Sequence, residues 1–382
     1  MNTVRRPTWI EIDLNQIKRN FIYLRKFLKR NVRIIAVVKA DAYGHGAVPV
    51  AKYLEKIGAD VLAVAILEEA LELRSAGIKS PILILNGFWP GQEKEIIREK
   101  LTPAIFRKDM IKTLRQEGER LGIPVGYYLK IDTGMTRLGF AHSRVNQIFT
   151  ECFNSRWANC EGFYTHLSSA EDKNDPVNQV QIKRFKQVLE TFPFRKNFLF
   201  CNHLANSAAI LNFPDALFDA VRPGLLLYGI NPLDSPSNLE THSALSFKTS
   251  IIQIKKVEAG SRIGYGGTFR TKRNSEIATL PVGFADGLNQ LLSNKGSVIL
   301  HGQKLSIVGR ISMDLTTIEI PEHTTARIGD EVCLIGSQGD EQISIKEVAD
   351  HCNTLPYEVL CGFGSRVQRI YSCLLYTSPS PR

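Results

Sequence analysis

From Asn31 to about Pro223, short runs of apolar and β-branched residues alternate eight times with longer amphipathic segments. The runs are RIIAVV (33–38), VLAVA (61–65), ILIL (82–85), LTPAIF (101–106), VGYYLKID (125–132), NCEGFYTH (159–166), FLFCN (198–202) and LFDAVR (217–222). Between them lie helical patterns such as Val48–Ile57, Leu67–Ala76, Lys108–Leu121 and Val177–Thr191, with helix-ending glycines at Gly58 and Gly77. Runs apolar on both faces suit parallel strands, and parallel strands need crossover helices. Eight such units without the glycine fingerprint of a doubly wound sheet predict an α/β fold, a (β/α)8 TIM-type barrel with its core over about residues 14–235.

The texture then changes. NPLDSPSNLETH carries two prolines and few apolar residues and reads as a linker. Beyond it, Ser246–Val257, Glu276–Leu280, Gly296–Leu300, Leu305–Val308, Leu315–Ile320 and Glu331–Ile335 read as short strands joined by Gly, Asn and Asp turns. The expected division is a barrel over 1–235 and a mostly β domain over 236–372, with the alternating Trp9–Asp13 available to pair with the latter. The last ten residues, Cys373–Arg382 (CLLYTSPSPR), resemble a translated sequencing adapter and are set aside, which implies that the natural C-terminus is missing.

Composition excludes several function classes. The net charge of +10 is dispersed, with no basic block interleaved with aromatics, so no nucleic-acid partner is expected. No apolar run approaches the roughly 20 residues that span a bilayer, and MNTVRRPTWIEID has no secretory h-region, so no membrane association is expected. Seven cysteines without a CxxC pair or a histidine cluster argue for reduced thiols, no metal site and a cytoplasmic location.

A barrel presents its chemistry at the C-terminal ends of its strands. AVVKADAYGHG places Lys39 there after the first strand, with Tyr43 just beyond. His166 closes the sixth run, Asn202 and His203 the seventh and Arg222 the eighth, while Asn206 and Ser207 open a helix. Amides at a helix start and at Gly224 suit a phosphate. A lysine at one strand end and a phosphate site at the far strands suit pyridoxal 5'-phosphate, whose aldehyde condenses with an amine.

The stretches AVVKADAYGHG, LKIDTGMTRLGF, NHLANSAA, AVRPGLLLYG, IGYGGTF, GRISMDLTTI and LPYEVLCGFGSRV together resemble the bacterial alanine racemases, in order from about residue 7 to 371. The resemblance implies a Schiff-base and acid/base role for Lys39 and a second acid/base role for Tyr265. It implies cofactor contacts for Tyr43, Ser207, Arg222, Gly224, Leu225 and Tyr357, with Arg222 on the pyridine nitrogen and His203 behind it. Arg137 and the Met313 amide would meet the substrate carboxylate. His166 would be oriented toward Tyr265, Asp314 would be a supporting residue, and Lys130 stands where some members carry a carbamate. Tyr265, distant from Lys39 in sequence, implies a head-to-tail homodimer with composite sites, acting on L- and D-alanine to supply peptidoglycan. Phe284 and Ser312 stand where tyrosine and cysteine are common in the family, near the substrate mouth.

Elementary chemistry agrees with that assignment. Inverting a stereocentre takes a proton from one face and returns one to the other, which two groups on opposite faces do most directly. A guanidinium at the ring nitrogen donates only, which leaves the ring a weaker electron sink and disfavours side reactions. Rival readings are a serine-type racemase, an amino-acid decarboxylase of the same fold type, and a non-catalytic pyridoxal phosphate-binding protein. The decarboxylase would want an acidic group where Arg222 stands, and the carrier would not need the second domain.

Overall fold

The computed structural model describes residues 6–28, 31–152, 155–191, 200–235 and 238–372. Two compact units emerge: Lys18–Ala42 with Gly46–His242, and the described residues within Met1–Ile17, Tyr43–His45 and Ser243–Arg382.

After β1 (Thr8–Asp13), which belongs to the second unit, the barrel strands run in chain order. They are β2 (Arg33–Val37), β3 (Val61–Val64), β4 (Ile82–Ile84), β5 (Thr102–Ile105) and β6 (Val125–Asp132), then, past the two-residue β7 (Phe140–Ala141), β8 (Ala158–Tyr164), β9 (His203–Asn206) and β10 (Ala220–Arg222). Every neighbour pair is parallel. The ring closes because β5 pairs with β6 through Ala104↔Tyr128, and β10 pairs with β2 through Ala220↔Arg33. Ile34 to Val37, Leu62 to Val64 and Ile82 to Ile84 are buried without alternation, as expected when sheet and helices cover both faces. Crossover helices include Ala47–Lys56, Leu67–Ser75, Lys108–Leu121 and Pro176–Thr191. The Lys108–Leu121 helix ends on Gly122 at φ 70°, a left-handed cap open to glycine at least cost.

The expected (β/α)8 barrel is therefore present, with one strand displaced. The seventh strand is His203–Asn206, beginning directly after FLFCN, of which Phe198 and Leu199 lie outside the described residues. Its register fixes the shift: His203 pairs with Ala220 and Asn206 with Arg222, so His203 opens the strand and does not close it. The sequence hid this because the strand's wall carries polar residues.

The second unit is mostly β. Its larger sheet runs β17 (Gln303–Ser306), β16 (Ser297–Leu300), β19 (Glu331–Gln338), β11 (Leu245–Ser250), β1 and β21 (Gln368–Ser372), with β20 (Glu341–Ile343) also paired to β19. A three-stranded antiparallel sheet holds β12 (Gln253–Val257), β15 (Ser275–Leu280) and β18 (Thr316–Ile320), and a small hairpin pairs β13 (Arg262–Ile263) with β14 (Phe269–Arg270). The stretch 246–257 is thus two strands in two sheets, broken at Ile251 and Ile252, where a single strand was expected. Lys248 on β11 bridges Glu11 on β1 at 2.9 Å and Glu331 on β19 at 3.0 Å, cross-strand pairs that set register. The tail Cys373–Arg382 lies outside the described residues.

Candidate active site

Four neighbouring strands build one polar cluster inside the barrel unit. Tyr128 and Lys130, two apart on β6, share a face. Tyr128 packs on the His203 ring at 5.0 Å, Tyr164 at the end of β8 stacks on the same ring at 5.0 Å and 21°, and Lys130 Nζ lies 5.2 Å from the Tyr164 ring centre. Arg222, ending β10, is 4 % exposed and lies 5.2 Å over Tyr164 from its Cζ.

The arginine is held from several sides. Its Nη1 reaches His203 Nδ1 at 2.5 Å. Its Nη2 donates to the Thr165 carbonyl at 2.8 Å and the Leu204 carbonyl at 3.0 Å, and meets His166 Nδ1 at 3.2 Å. Both terminal nitrogens are thereby committed, and the Nε–H meets no acceptor among the described residues. Among the described residues no carboxylate pairs with this guanidinium, and burial pulls its pKa down to about 10.

An arginine cannot accept, so both histidines face it as neutral acceptors. Burial first, then the Arg222 charge, pushes His203 well below the ordinary histidine value. Burial, Arg222, Arg137, Lys130 and Lys39 do the same to His166. Since His203 Nδ1 accepts from Arg222, its proton sits on Nε2, which is buried with no hydrogen-bond partner among the described residues. Lys130 is depressed to about 7, by burial first and then by Arg222, Arg137 and Lys39. Lys39 and the exposed Arg137 are thus close enough to act electrically on Lys130 and His166, and the structure brings the expected cationic residues together.

Lys39 stands two residues past the end of β2, where the chain enters a left-handed turn: Ala40, Asp41, Ala42 and Tyr43 all have φ between 50° and 54°. The turn is tied down locally. Tyr228 donates its hydroxyl to the Val37 carbonyl at 2.9 Å, Asp41 accepts from the Ala47 amide at 2.7 Å, and Glu69 accepts from the Ala40 amide at 2.7 Å.

On the far strands, Ser207 opens the short helix Ser207–Asn212, capped by Asn206, whose side chain accepts from the Ala209 amide. The Ser207 hydroxyl accepts from the Gly224 amide at 2.9 Å and, longer, from Leu226 at 3.4 Å. Leu225, 1 % exposed, has an amide that finds no acceptor among the described residues. A buried orphan donor beside a hydroxyl and a helix start is the chemistry of an anion site.

The remaining expected residues lie in the second unit. Tyr43 and Tyr357 pack ring to ring at 5.6 Å, and the Gly44 carbonyl accepts from Arg369 at 3.2 Å. Tyr265, 73 % exposed, sits on a single turn between Gly264 and Gly266, both at positive φ. Met313 is exposed, and its carbonyl accepts from the Ala285 amide at 3.1 Å; Asp314 pairs with Arg366 at 2.7 Å. Arg366 and Arg6 also converge on the fully buried Asp286.

Sequence reading missed Tyr164, Tyr228, Glu69 and Asp286. Tyr164 carried a signal, since it stands two residues before the singled-out His166. Glu69 carried none, because an acid in the first turn of a helix is commonplace.

Residues 12–232 match the model of the alanine racemase N-terminal domain and 244–371 that of the C-terminal domain. The chain is 40 % identical over 369 residues to an alanine racemase of Halothermothrix orenii, covering 96 % of this chain and 97 % of that protein. It is 41 % identical over 368 residues to one of Carboxydothermus hydrogenoformans, covering 96 % and 100 %. Among solved structures, alanine racemase from Bacillus anthracis with bound L-Ala-P superposes with a TM-score of 0.88 at 34 % identity, covering 97 % of this chain and 96 % of that one. The enzyme from Bartonella henselae with covalently bound pyridoxal phosphate gives 0.86 at 31 % identity, covering 96 % and 99 %.

Proposed function

The chain belongs to the alanine racemase family, and from that premise we propose how its residues divide the work of racemisation. The reaction interconverts L- and D-alanine and depends on pyridoxal phosphate. Bound to a lysine, that cofactor acidifies the hydrogen on the amino acid's α-carbon.

The donor set fits the cofactor. Ser207, Gly224 and the orphan Leu225 amide would take the phosphate, with Tyr43 and Tyr357 completing that contact. Lys39 would hold the cofactor. The Nε–H of Arg222 would face the pyridine nitrogen as a pure donor, backed by His203 and Thr165. This uncommitted Nε–H on an arginine with no carboxylate partner carries the reading, because it distinguishes a racemase from a decarboxylase of the same fold type.

Lys39 moves the proton on one face and Tyr265 on the other, while Arg137 and the Met313 amide hold the substrate carboxylate. His166 is oriented toward Tyr265. Lys130, uncharged above about pH 7, is open to carbamylation that would steer Arg137. Tyr265, Met313, Phe284, Leu291, Leu315 and Leu355 are each exposed on the second unit, large apolar or aromatic side chains available to a second copy. The assembly is a head-to-tail homodimer in which each Tyr265 serves the partner's Lys39. Cys160, Cys201, Cys333, Cys352 and Cys361, none of them in a disulfide among the described residues, suit the reducing cytoplasm, where D-alanine enters peptidoglycan synthesis.

The protein incubated with L-alanine in heavy water should give D-alanine deuterated at Cα, and Lys39→Ala should give none. Mixed Lys39→Ala and Tyr265→Ala subunits should recover about a quarter of wild-type sites when they re-pair at random. No recovery despite proven exchange refutes shared sites.

A further inference from the structure

We propose that Glu69 is a positioning residue for Lys39, its carboxylate clamping the left-handed turn that presents the lysine to the end of the neighbouring strand. The inference rests on the reading that Lys39 holds the cofactor. Four consecutive non-glycine residues, Ala40 to Tyr43, adopt φ of 50–54°, a conformation that costs roughly 1–2 kcal/mol for each L-residue. Such a turn persists only when its surroundings over-determine it.

Glu69 lies in the first turn of the helix Leu67–Ser75, and both its oxygens are engaged. Oε2 accepts from the Ala65 amide at 2.7 Å, just past β3, and Oε1 accepts from the Ala40 amide at 2.7 Å, past β2. The bond to Ala65 resembles a capping box, in which the third helical residue reaches back to the helix start, and helix capping accounts for it. The bond to Ala40 serves no helix. It fixes the peptide plane between Lys39 and Ala40, and so the direction in which the lysine leaves the backbone. Only a carboxylate does both, since it accepts at two oxygens; glutamine would turn an N–H toward one of the two amides.

Three substitutions separate this role from plain stability. Glu69→Gln keeps size and one acceptor, Glu69→Ala removes both, and Glu68→Ala changes an exposed neighbour on the same helix. Each apoenzyme is titrated with pyridoxal phosphate and no substrate. Covalent loading, in which the Lys39 amine bonds the aldehyde carbon and water leaves, is read by the visible band and by borohydride-fixed mass on Lys39. Apoenzyme melting temperatures are measured alongside.

Loading should weaken about tenfold in Glu69→Gln and further in Glu69→Ala, as expected for lost charge-assisted bonds, with apoenzyme melting little changed and Glu68→Ala at wild-type values. Should Glu69→Ala fail to fold, Glu69→Gln decides. Wild-type loading in Glu69→Gln overturns the proposal, as does a loading loss that merely tracks a lowered melting temperature. If the wild type itself places no cofactor on Lys39, the functional reading fails and this inference falls with it.

Discussion

Replacing Lys130 with methionine should make the protein more stable near neutral pH, although the change removes a polar group from a candidate active site. Lys130 is 6 % exposed, and no carboxylate pairs with it among the described residues. Burial and the charges of Arg222, Arg137 and Lys39 bring its pKa from 10.5 down to about 7. Between those values the unfolded chain binds a proton that the folded chain does not, so wild-type stability rises with pH across that window. Below about pH 7 the folded state carries the ammonium at full cost. At about 1.4 kcal/mol for each tenfold, the gap sets a ceiling of about 5 kcal/mol at pH 6. Relaxation and water penetration reduce such penalties, so an advantage of about 2–4 kcal/mol for Lys130→Met is the expected outcome. Methionine keeps a flexible, polarizable chain against Tyr164 and adds no cavity large enough to cancel the gain. The assay is equilibrium urea unfolding of both proteins at pH 6, 7.5 and 9.5. Carbon dioxide is excluded, because it adds to an uncharged amine. The advantage should be largest at pH 6 and shrink toward pH 9.5. Equal stability at pH 6, or an advantage independent of pH, would refute the account of this cationic pocket.

Two further substitutions test the second unit. Asp286→Asn should cost about 2–3 kcal/mol, because the fully buried carboxylate accepts from Arg6, Arg366 and the Gly283 amide, while the part-exposed arginines can still turn to water. Its partners hold that carboxyl below the ordinary 3.8 despite burial, so the wild-type advantage is full above that value and narrows as pH falls through the lower folded value. Urea midpoints at pH 3 and pH 7 check it. Gly44→Ala should cost more than about 3 kcal/mol or abolish soluble expression, since Gly44 has φ 73° and an added Cβ would meet the Leu360 carbonyl oxygen at 2.2 Å. Thermal melting of the purified variant tests that.

The barrel was readable because burial on both faces leaves an unbroken apolar run, as in Ile34 to Val37, and because Gly58 and Gly77 mark where crossover helices stop. The same rule failed at β9. Its residues His203 and Asn206 serve the site and a helix cap, so the apolar signal lay upstream in FLFCN. Ser246–Val257 looked continuous because β-propensity does not show that a strand leaves one sheet for another at Ile251. The left-handed turn after Lys39 was invisible for a deeper reason. Ala-Asp-Ala-Tyr has no local preference for positive φ, and Tyr228, Asp41 and Glu69 impose it through contacts 6 to 191 residues apart.

The site's electrostatics favour an anionic ligand. Arg222, Arg137 and Lys39 act on Lys130 and, with it, on His166, Arg222 also acts on His203, and Asp132 is the one carboxylate that offsets the depression of Lys130. Burial first, and then these neighbouring charges, bring Lys130 down to about 7, while the buried guanidinium of Arg222, at about 10, keeps its proton at neutral pH. A phosphate at Ser207 and Leu225 and a substrate carboxylate at Arg137 would supply the missing negative charge from two sides. Binding then relieves a strain that the folded chain already bears, and by linkage the protein should gain stability in proportion to the anion it holds. An apoenzyme whose melting temperature rises with inorganic phosphate at constant ionic strength is the expected outcome. A flat response would mean that the orphan amide at Leu225 and the unbalanced cations are met by something other than an anion.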